Sequence, residues 1–256
     1  MFKGFYNLTS GMLTQQRNLN VVGNNLVNVS TPGFKESRYT ATTFDEVMYS
    51  RTGNQRRAYT DLGQLNYIRA DSAVYVNQSQ GIPEPTDIPL DFAIYGDGFF
   101  AIQREDGQIA YTRSGSFSLD DEGYLCFPGQ GRVLNPQGGY IHMEGRTTQG
   151  VTDKIESDGA GNIFSEQGEF LGQIGVYNFA DVEQLTYDDQ GMFIGDGATA
   201  VDNPSVMWKY LERSNVDMIR QMTEMLTCQR SLQSAAQVAK MYDEVMGHVA
   251  SDVGRM

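Results

Sequence analysis

A chain of 256 residues with 40% hydrophobic and 20% charged residues can bury a substantial core and is too apolar for a disordered polyelectrolyte. Its formal charge of −13 excludes a charge-driven footprint on nucleic acid. No stretch is long and apolar enough to span a bilayer, so no membrane span is expected.

Apolar residues at Met1, Phe5, Leu8, Met12, Leu19, Val22, Leu26 and Val29 step by four and three, with Gln15 the one polar residue on the row. That spacing predicts a helix from about Lys3 to Asn28 that buries one narrow seam against a partner helix. Asn24, Asn25 and Asn28 cluster at its end, where asparagine amides compete with the backbone for hydrogen bonds. Thr31-Pro32-Gly33 then predicts a tight turn, with proline fixing φ and glycine free to take a positive one. Residues 36–89 are polar, carry a small basic cluster at Arg51, Arg56 and Arg57, and end in Pro83, Pro85 and Pro89. They read as an extended arm with short strands. From Leu90 short alternating runs are broken by Asp106-Gly107 and Glu122-Gly123, and 22 of the 28 glycines lie between residues 36 and 206. Those are the signals of a mainly antiparallel β-domain. The last fifty residues repeat the 4–3 row at Met218, Met222, Met225, Leu232, Ala236, Ala239, Tyr242, Met246, Val249 and Val253, with Gln229 breaking it. Ser214 to Asp217 reads as a capping box in which Ser214 is the N-cap of that helix.

The fold class expected is therefore α+β: N- and C-terminal helices paired as a coiled coil around a central, mainly antiparallel β-domain. The boundaries expected are 1–35, 36–89, 90–206 and 207–256. Charge follows the same division. Residues 1–35 hold Lys3, Arg17 and Lys35 and no acid, and residues 207–256 balance, so the whole acidic excess lies in the middle. Ends of low charge suit packing in an assembly, and an acidic centre suits water.

Three blocks resemble the bacterial flagellar rod and hook proteins. The first is Gly23-Asn24-Asn25-Leu26-Val27-Asn28-Val29-Ser30-Thr31-Pro32-Gly33-Phe34-Lys35. The family's usual form there is Ala-Asn-Asn-Leu-Ala-Asn, a spacer, then Thr-x-Gly-Phe-Lys, and Gly23 and Val27 stand where it mostly has alanine. The second joins Leu90-Asp91-Phe92-Ala93-Ile94, Gly96, Gly98-Phe99-Phe100 and Tyr111-Thr112-Arg113 with Gly115 and Phe117. The third is Ser214-Asn215-Val216-Asp217 with Met218, Met222, Met225-Leu226 and Gln229-Arg230. The resemblance implies a structural subunit of the flagellar basal-body rod. Its terminal helices would pack with other copies as a tube around the export channel, transmitting torque to the hook. Its partners would be copies of itself, other rod and hook proteins, and the flagellar export apparatus. It also implies export to the periplasmic side of the cell envelope without a cleaved signal peptide. On sequence alone, the absence of a secretory pattern in Met1-Phe2-Lys3-Gly4-Phe5-Tyr6-Asn7 would read as cytoplasmic. The residues expected at subunit contacts are Asn24, Asn25, Leu26, Asn28, Pro32, Gly33, Phe34, Lys35, Met218, Met222, Met225, Gln229 and Leu232.

No catalytic, cofactor or metal residues are expected. His142 and His248 have no cysteine or carboxylate at ligand spacing. Asp106, Asp120-Asp121-Glu122 and Asp188-Asp189 could supply a carboxylate pair, and an envelope polysaccharide-binding or hydrolysing enzyme is the alternative reading. Each lies beside a turn glycine, where aspartate serves local hydrogen bonding. Gly96-Asp97-Gly98 leads into Phe99-Phe100, a strand, and reads as a β-turn instead of a nucleotide loop. Cys126 and Cys228 read as small buried hydrophobes rather than a disulfide pair.

Overall fold

A computed structural model describes residues 2–43, 47–52, 59–65, 69–143, 155–182, 185–188, 191–253 and 255. Two helices, α1 (Phe2–Val27) and α2 (Met218–Val253), flank a centre of short antiparallel strands, so the class is α+β. The chain divides into two compact units, one of residues 1–27, 37–77 and 217–256, the other of residues 28–36 and 78–216.

In the first unit the helices run side by side and antiparallel. Asn25 Nδ2 donates to Gln221 Oε1 at 3.4 Å, and Asn18 Nδ2 to Cys228 Sγ at 3.2 Å. A Cβ on Gly4 would lie 3.9 Å from the Tyr242 ring. Positions 25, 18 and 4 on α1 thus meet 221, 228 and 242 on α2, in equal steps of seven and fourteen. α1 also packs on the paired strands Ser37–Thr43 and Arg69–Val76, which form an antiparallel ladder with a bulge after Thr40. Strands Val47–Thr52 and Tyr59–Leu65 pair in the same sense. Arg51 lies in the former, while Arg56 and Arg57 fall outside the described residues.

The predicted seams are shifted in phase. On α1 the apolar row lies beside the row of Gly4, Asn18 and Asn25 that meets α2: Val22 is 2% exposed, Phe5 44%. On α2 the least exposed row is Gln221, Met225, Cys228, Leu232, Ala235, Ala239, Tyr242 and Met246. It keeps the 4–3 spacing but leaves Met218, Met222 and Val249 exposed. The reason is that α1 shares its apolar surface with the strands, and its asparagine amides require Gln221 and Cys228 opposite them. Capping also differs from expectation. Asp217 is the N-cap, its Oδ1 accepting from Ile219 N at 3.0 Å and Arg220 N at 3.2 Å. Ser214 instead closes a small turn, accepting from Val216 N at 3.3 Å. Asn215 is held by bonds to Glu36 and Ser79, so the backbone turns helical only after it.

The second unit is built around strand Phe99–Gln103, paired with Ile109–Thr112 on one side and with Gly131–Val133 and Val176–Asn178 on the other. Both faces of this strand are covered. Phe100 packs edge-on to Phe117, centroids 5.1 Å apart, and Phe99 packs on Phe193 at 5.1 Å. Burial on both faces is what an unbroken apolar run such as Phe99-Phe100-Ala101-Ile102 encodes. The hairpin strands predicted from Asp106-Gly107 and Glu122-Gly123 are present, as Ile109–Thr112 and as Leu125–Phe127 paired with Ser118–Leu119. Strand Pro83–Pro85 pairs with Tyr210–Glu212. Thr86 N–H points at Lys209 O (2.7 Å), so Pro83 and Pro85 occupy the alternate positions whose N–H would face the outer edge. The prolines therefore strip that edge of donors and block further strand addition.

Asp91, in the second resemblance block, is only 1% exposed. Burial pushes its carboxyl above the usual range, while the Thr86 and Ser116 hydroxyls draw it back. Because the folded value lies above the unfolded one, this group's contribution is fully present below the unfolded value of about 3.9 and is lost as pH rises through the folded one. Replacing the carboxylate with an amide of the same shape (Asp91→Asn) should therefore raise stability at neutral pH. The gain should vanish below about pH 4, as read by thermal melts across pH.

Candidate functional site

The turn expected at Thr31-Pro32-Gly33 forms, with Phe34 N donating to Thr31 O at 3.3 Å and Gly33 at φ +70. Gly33 also lies hard against the β-domain, where a Cβ would sit 2.2 Å from Ser114 N. Positive φ and close approach together leave room only for glycine. Its amide donates to Glu212 O at 2.7 Å, tying the turn to strand Tyr210–Glu212. Phe34 follows into the aromatic cluster, edge-on to Tyr187 at 6.2 Å.

Lys35 is the charged residue of the motif, and it is buried at 1% exposure. Its Nζ donates to Glu212 Oε1 at 2.5 Å and to Ser79 O at 2.9 Å. Glu212, also 1% exposed, accepts from Gly81 N at 2.8 Å on the same oxygen. Its other oxygen lies 3.5 Å from Arg113 Nη1, which also donates to Gly96 O at 2.8 Å. One carboxylate thus sits between two buried cations. Burial pushes the Lys35 ammonium below the ordinary lysine value, with Glu212 acting against it. Arg113 is lowered for the same reason, opposed by Glu212 and Asp97.

Asn215 completes the junction. Its Oδ1 accepts from Glu36 N at 2.7 Å, and its Nδ2 donates to Ser79 O at 2.9 Å. In the other unit Asn25, fully buried, uses its amide as a peptide would. Nδ2 donates to Ser37 O at 2.7 Å while Oδ1 accepts from Ser37 N at 2.9 Å. Aspartate would lose the donor and leucine both bonds.

Of the residues expected at subunit contacts, Asn25, Gly33, Phe34 and Lys35 are therefore buried inside the chain with partners there. Leu26, Asn28, Pro32, Met225, Gln229 and Leu232 are half-buried, and Asn24, Met218 and Met222 are exposed. Sequence reasoning missed Glu212 and Gln221 altogether and gave Arg113 no role. Lys35 and Glu212 are 177 positions apart, and a lone acid in Tyr210-Leu211-Glu212 carries no signal of its partner.

The acids considered for chemistry are occupied in turns. Asp106 Oδ1 accepts from Gln108 N at 2.9 Å. Asp120 Oδ1 accepts from Glu122 N at 3.0 Å and Tyr124 N at 2.8 Å, and Asp188 pairs with Arg104. Asp189 falls outside the described residues. Among the described residues no cluster of His, Cys, Asp or Glu could hold a metal ion, and no helix is long and apolar enough to cross a membrane.

Residues 5–35 match the family described as flagella basal body rod protein. Residues 93–194 match the flagellar hook protein FlgE/F/G D1 domain, and residues 209–251 the flagellar basal body rod FlgEFG protein C-terminal region. The chain is 33% identical to the flagellar basal-body rod protein FlgG of Bacillus subtilis, over 96% of its length and 97% of that protein. It is 30% identical to FlgG of Caulobacter vibrioides over 93% and 94%, and 28% identical to the rod protein FlgF of Mesorhizobium japonicum over 98% and 99%. The chain belongs to the flagellar basal-body rod protein family. Its role is structural and non-enzymatic, its place is the basal body, and its associates are rod and hook components. The three segments matching the rod family each supply one charge of the junction: Lys35, Arg113 and Glu212.

Removing the Glu212 charge should leave two buried cations uncompensated. Glu212→Gln is expected to cost about 3–5 kcal/mol in urea unfolding. Lys35→Met added to Glu212→Gln should cost much less than the sum of the two single changes. A loss under about 1 kcal/mol for Glu212→Gln would show the cluster to be incidental.

Proposed function

We propose that this rod protein assembles with copies of itself into a tubular shaft around an export channel and transmits torque to the hook. In this reading α1 and α2 pair as an antiparallel coiled coil, and neighbouring subunits pack against the faces left over. The equal heptad steps along both helices support the pairing. The observation that carries the assembly is the apolar surface remaining on α2 after that pairing. Ile219 is 78% exposed, Leu226 54%, Met241 61% and Val245 57%, with Met218 and Met222 beside them. Each such side chain yields about 1.5–3 kcal/mol on full burial, so a face of this kind favours association. Asn24, Met218 and Met222 remain subunit contacts in this reading. Asn25, Gly33, Phe34 and Lys35 act through the shape they give the segment leaving α1.

The division into helical ends at 1–35 and 207–256, an arm at 36–89 and a β-rich centre at 90–206 belongs to the same reading. The arm keeps its strands Ser37–Thr43 and Arg69–Val76 against α1 of the same chain. The chain reaches the periplasmic side through the flagellar export apparatus without losing a signal peptide. Helices interlocked between subunits resist relative rotation, which is what a shaft under torque requires.

Light scattering as a function of concentration tests the assembly face. Leu226→Glu and Met241→Glu should abolish growth of large particles while circular dichroism shows the helix content of the parent chain. Leu232→Glu, on the row facing α1, should lower helix content as well. Undiminished polymerisation of the Leu226→Glu, Met241→Glu double variant would refute α2's outer face as the contact.

A further inference from the structure

A second feature lies in the β-domain. Turns 103–109 and 127–131, with Tyr140, enclose an open cleft of about 570 Å³. That is within the roughly 300–1,000 Å³ of ligand clefts. We infer that this cleft binds a neutral saccharide strand, through Gln103, Gln130, Arg132 and the ring of Tyr140, with Asp120 holding Arg132 in place.

The chemistry of the lining selects the class. Arg104 and Arg132 are balanced by Glu105 and Asp120, so the cleft carries no net charge to hold a polyanion. A lipid tail would leave the charged and amide groups of the lining without water or partners. What it offers is planar groups: two amides, two carboxylates, two guanidiniums and a phenol. These present donors and acceptors in one plane, as adjacent sugar hydroxyls require. Tyr140 is 46% exposed, giving a ring face for the C–H side of a pyranose. The walls are already ordered. Tyr140 OH donates to Gln103 Oε1 at 2.9 Å, and Arg132 Nε to Asp120 Oδ2 at 2.9 Å. The Arg132 guanidinium also lies 4.1 Å over the Tyr124 ring. Groups fixed in advance lose little freedom on binding.

An extended peptide is the other neutral, polar class, and the cleft does not suit it. Peptides of that kind bind by adding to a free strand edge. Strand Phe99–Gln103 has both edges taken at the cleft, Gln103 pairing with Ile109 and with Arg132. Strand Gly131–Val133 likewise lies between Phe99–Gln103 and Leu125–Phe127.

Saturation-transfer NMR on the full chain, with cellotetraose, chitotetraose and maltotetraose as probes, tests the inference. At least one should bind with a dissociation constant on the order of 1 mM or tighter. Tyr140→Ala should weaken it by at least about tenfold, Tyr140→Phe far less, and Gln130→Ala measurably, with unchanged melting temperature for Gln130→Ala. Silence from all three sugars, binding untouched by both Tyr140→Ala and Gln130→Ala, or equal displacement by a Gly-Ser tetrapeptide would overturn it.

Discussion

A carboxylate taken fully out of water is tolerated only where cations and N–H donors replace its hydration, and Glu212 is placed under that constraint. Lys35, Arg113 and the Gly81 amide supply the replacement, and each arrives from a different part of the chain. The backbone around them is fixed by the same requirement. Gly33 must let the turn touch Ser114, and a Cβ on Gly81 would sit 1.9 Å from Arg213 O. Such a cluster adds little net energy, because desolvation offsets attraction. Docking residues 28–36 in another way would leave Glu212 or Lys35 buried without its partner.

This gives a physical reason for a motif that sequence alone marks only as recognisable. Thr31-Pro32-Gly33-Phe34-Lys35 is the segment where the chain leaves α1, and every residue from Gly33 to Lys35 has a defined role there. Proline and glycine shape the turn, Phe34 enters the aromatic cluster, and Lys35 neutralises Glu212. Asn215 then holds Glu36 on one side and precedes the Asp217 cap of α2 on the other. The terminal motifs thus define how this chain folds, while an apolar face of α2 stays exposed.

Much of this was legible beforehand, for identifiable reasons. Helices and hairpins declare themselves through periodicity and turn residues, and both helices and the strands around Asp106-Gly107 and Glu122-Gly123 lie where those signals put them. Helix phase was less legible. A 4–3 row of methionines marks an apolar face, but α2 has two such faces, and which one meets α1 depends on where Asn18 and Asn25 find partners. The Asp217 cap was obscured because Ser214 fits the same local pattern and only the bonds of Asn215 delay the helix. The ion cluster was illegible, since nothing in a single sequence links Lys35 to an acid 177 residues away.

The segment leaving α1 is held by bonds within a single chain. Amide hydrogen exchange on the dilute, monomeric full chain tests it most directly, read at Gly33, Glu36 and Gly81. Their N–H groups bond Glu212 O, Asn215 Oδ1 and Glu212 Oε1. Protection approaching that of Phe92, whose N–H bonds Gly115 O in the β core, is expected. Exchange at the rate of an exposed loop, slowing only once polymers form, would show that the lock needs a neighbour.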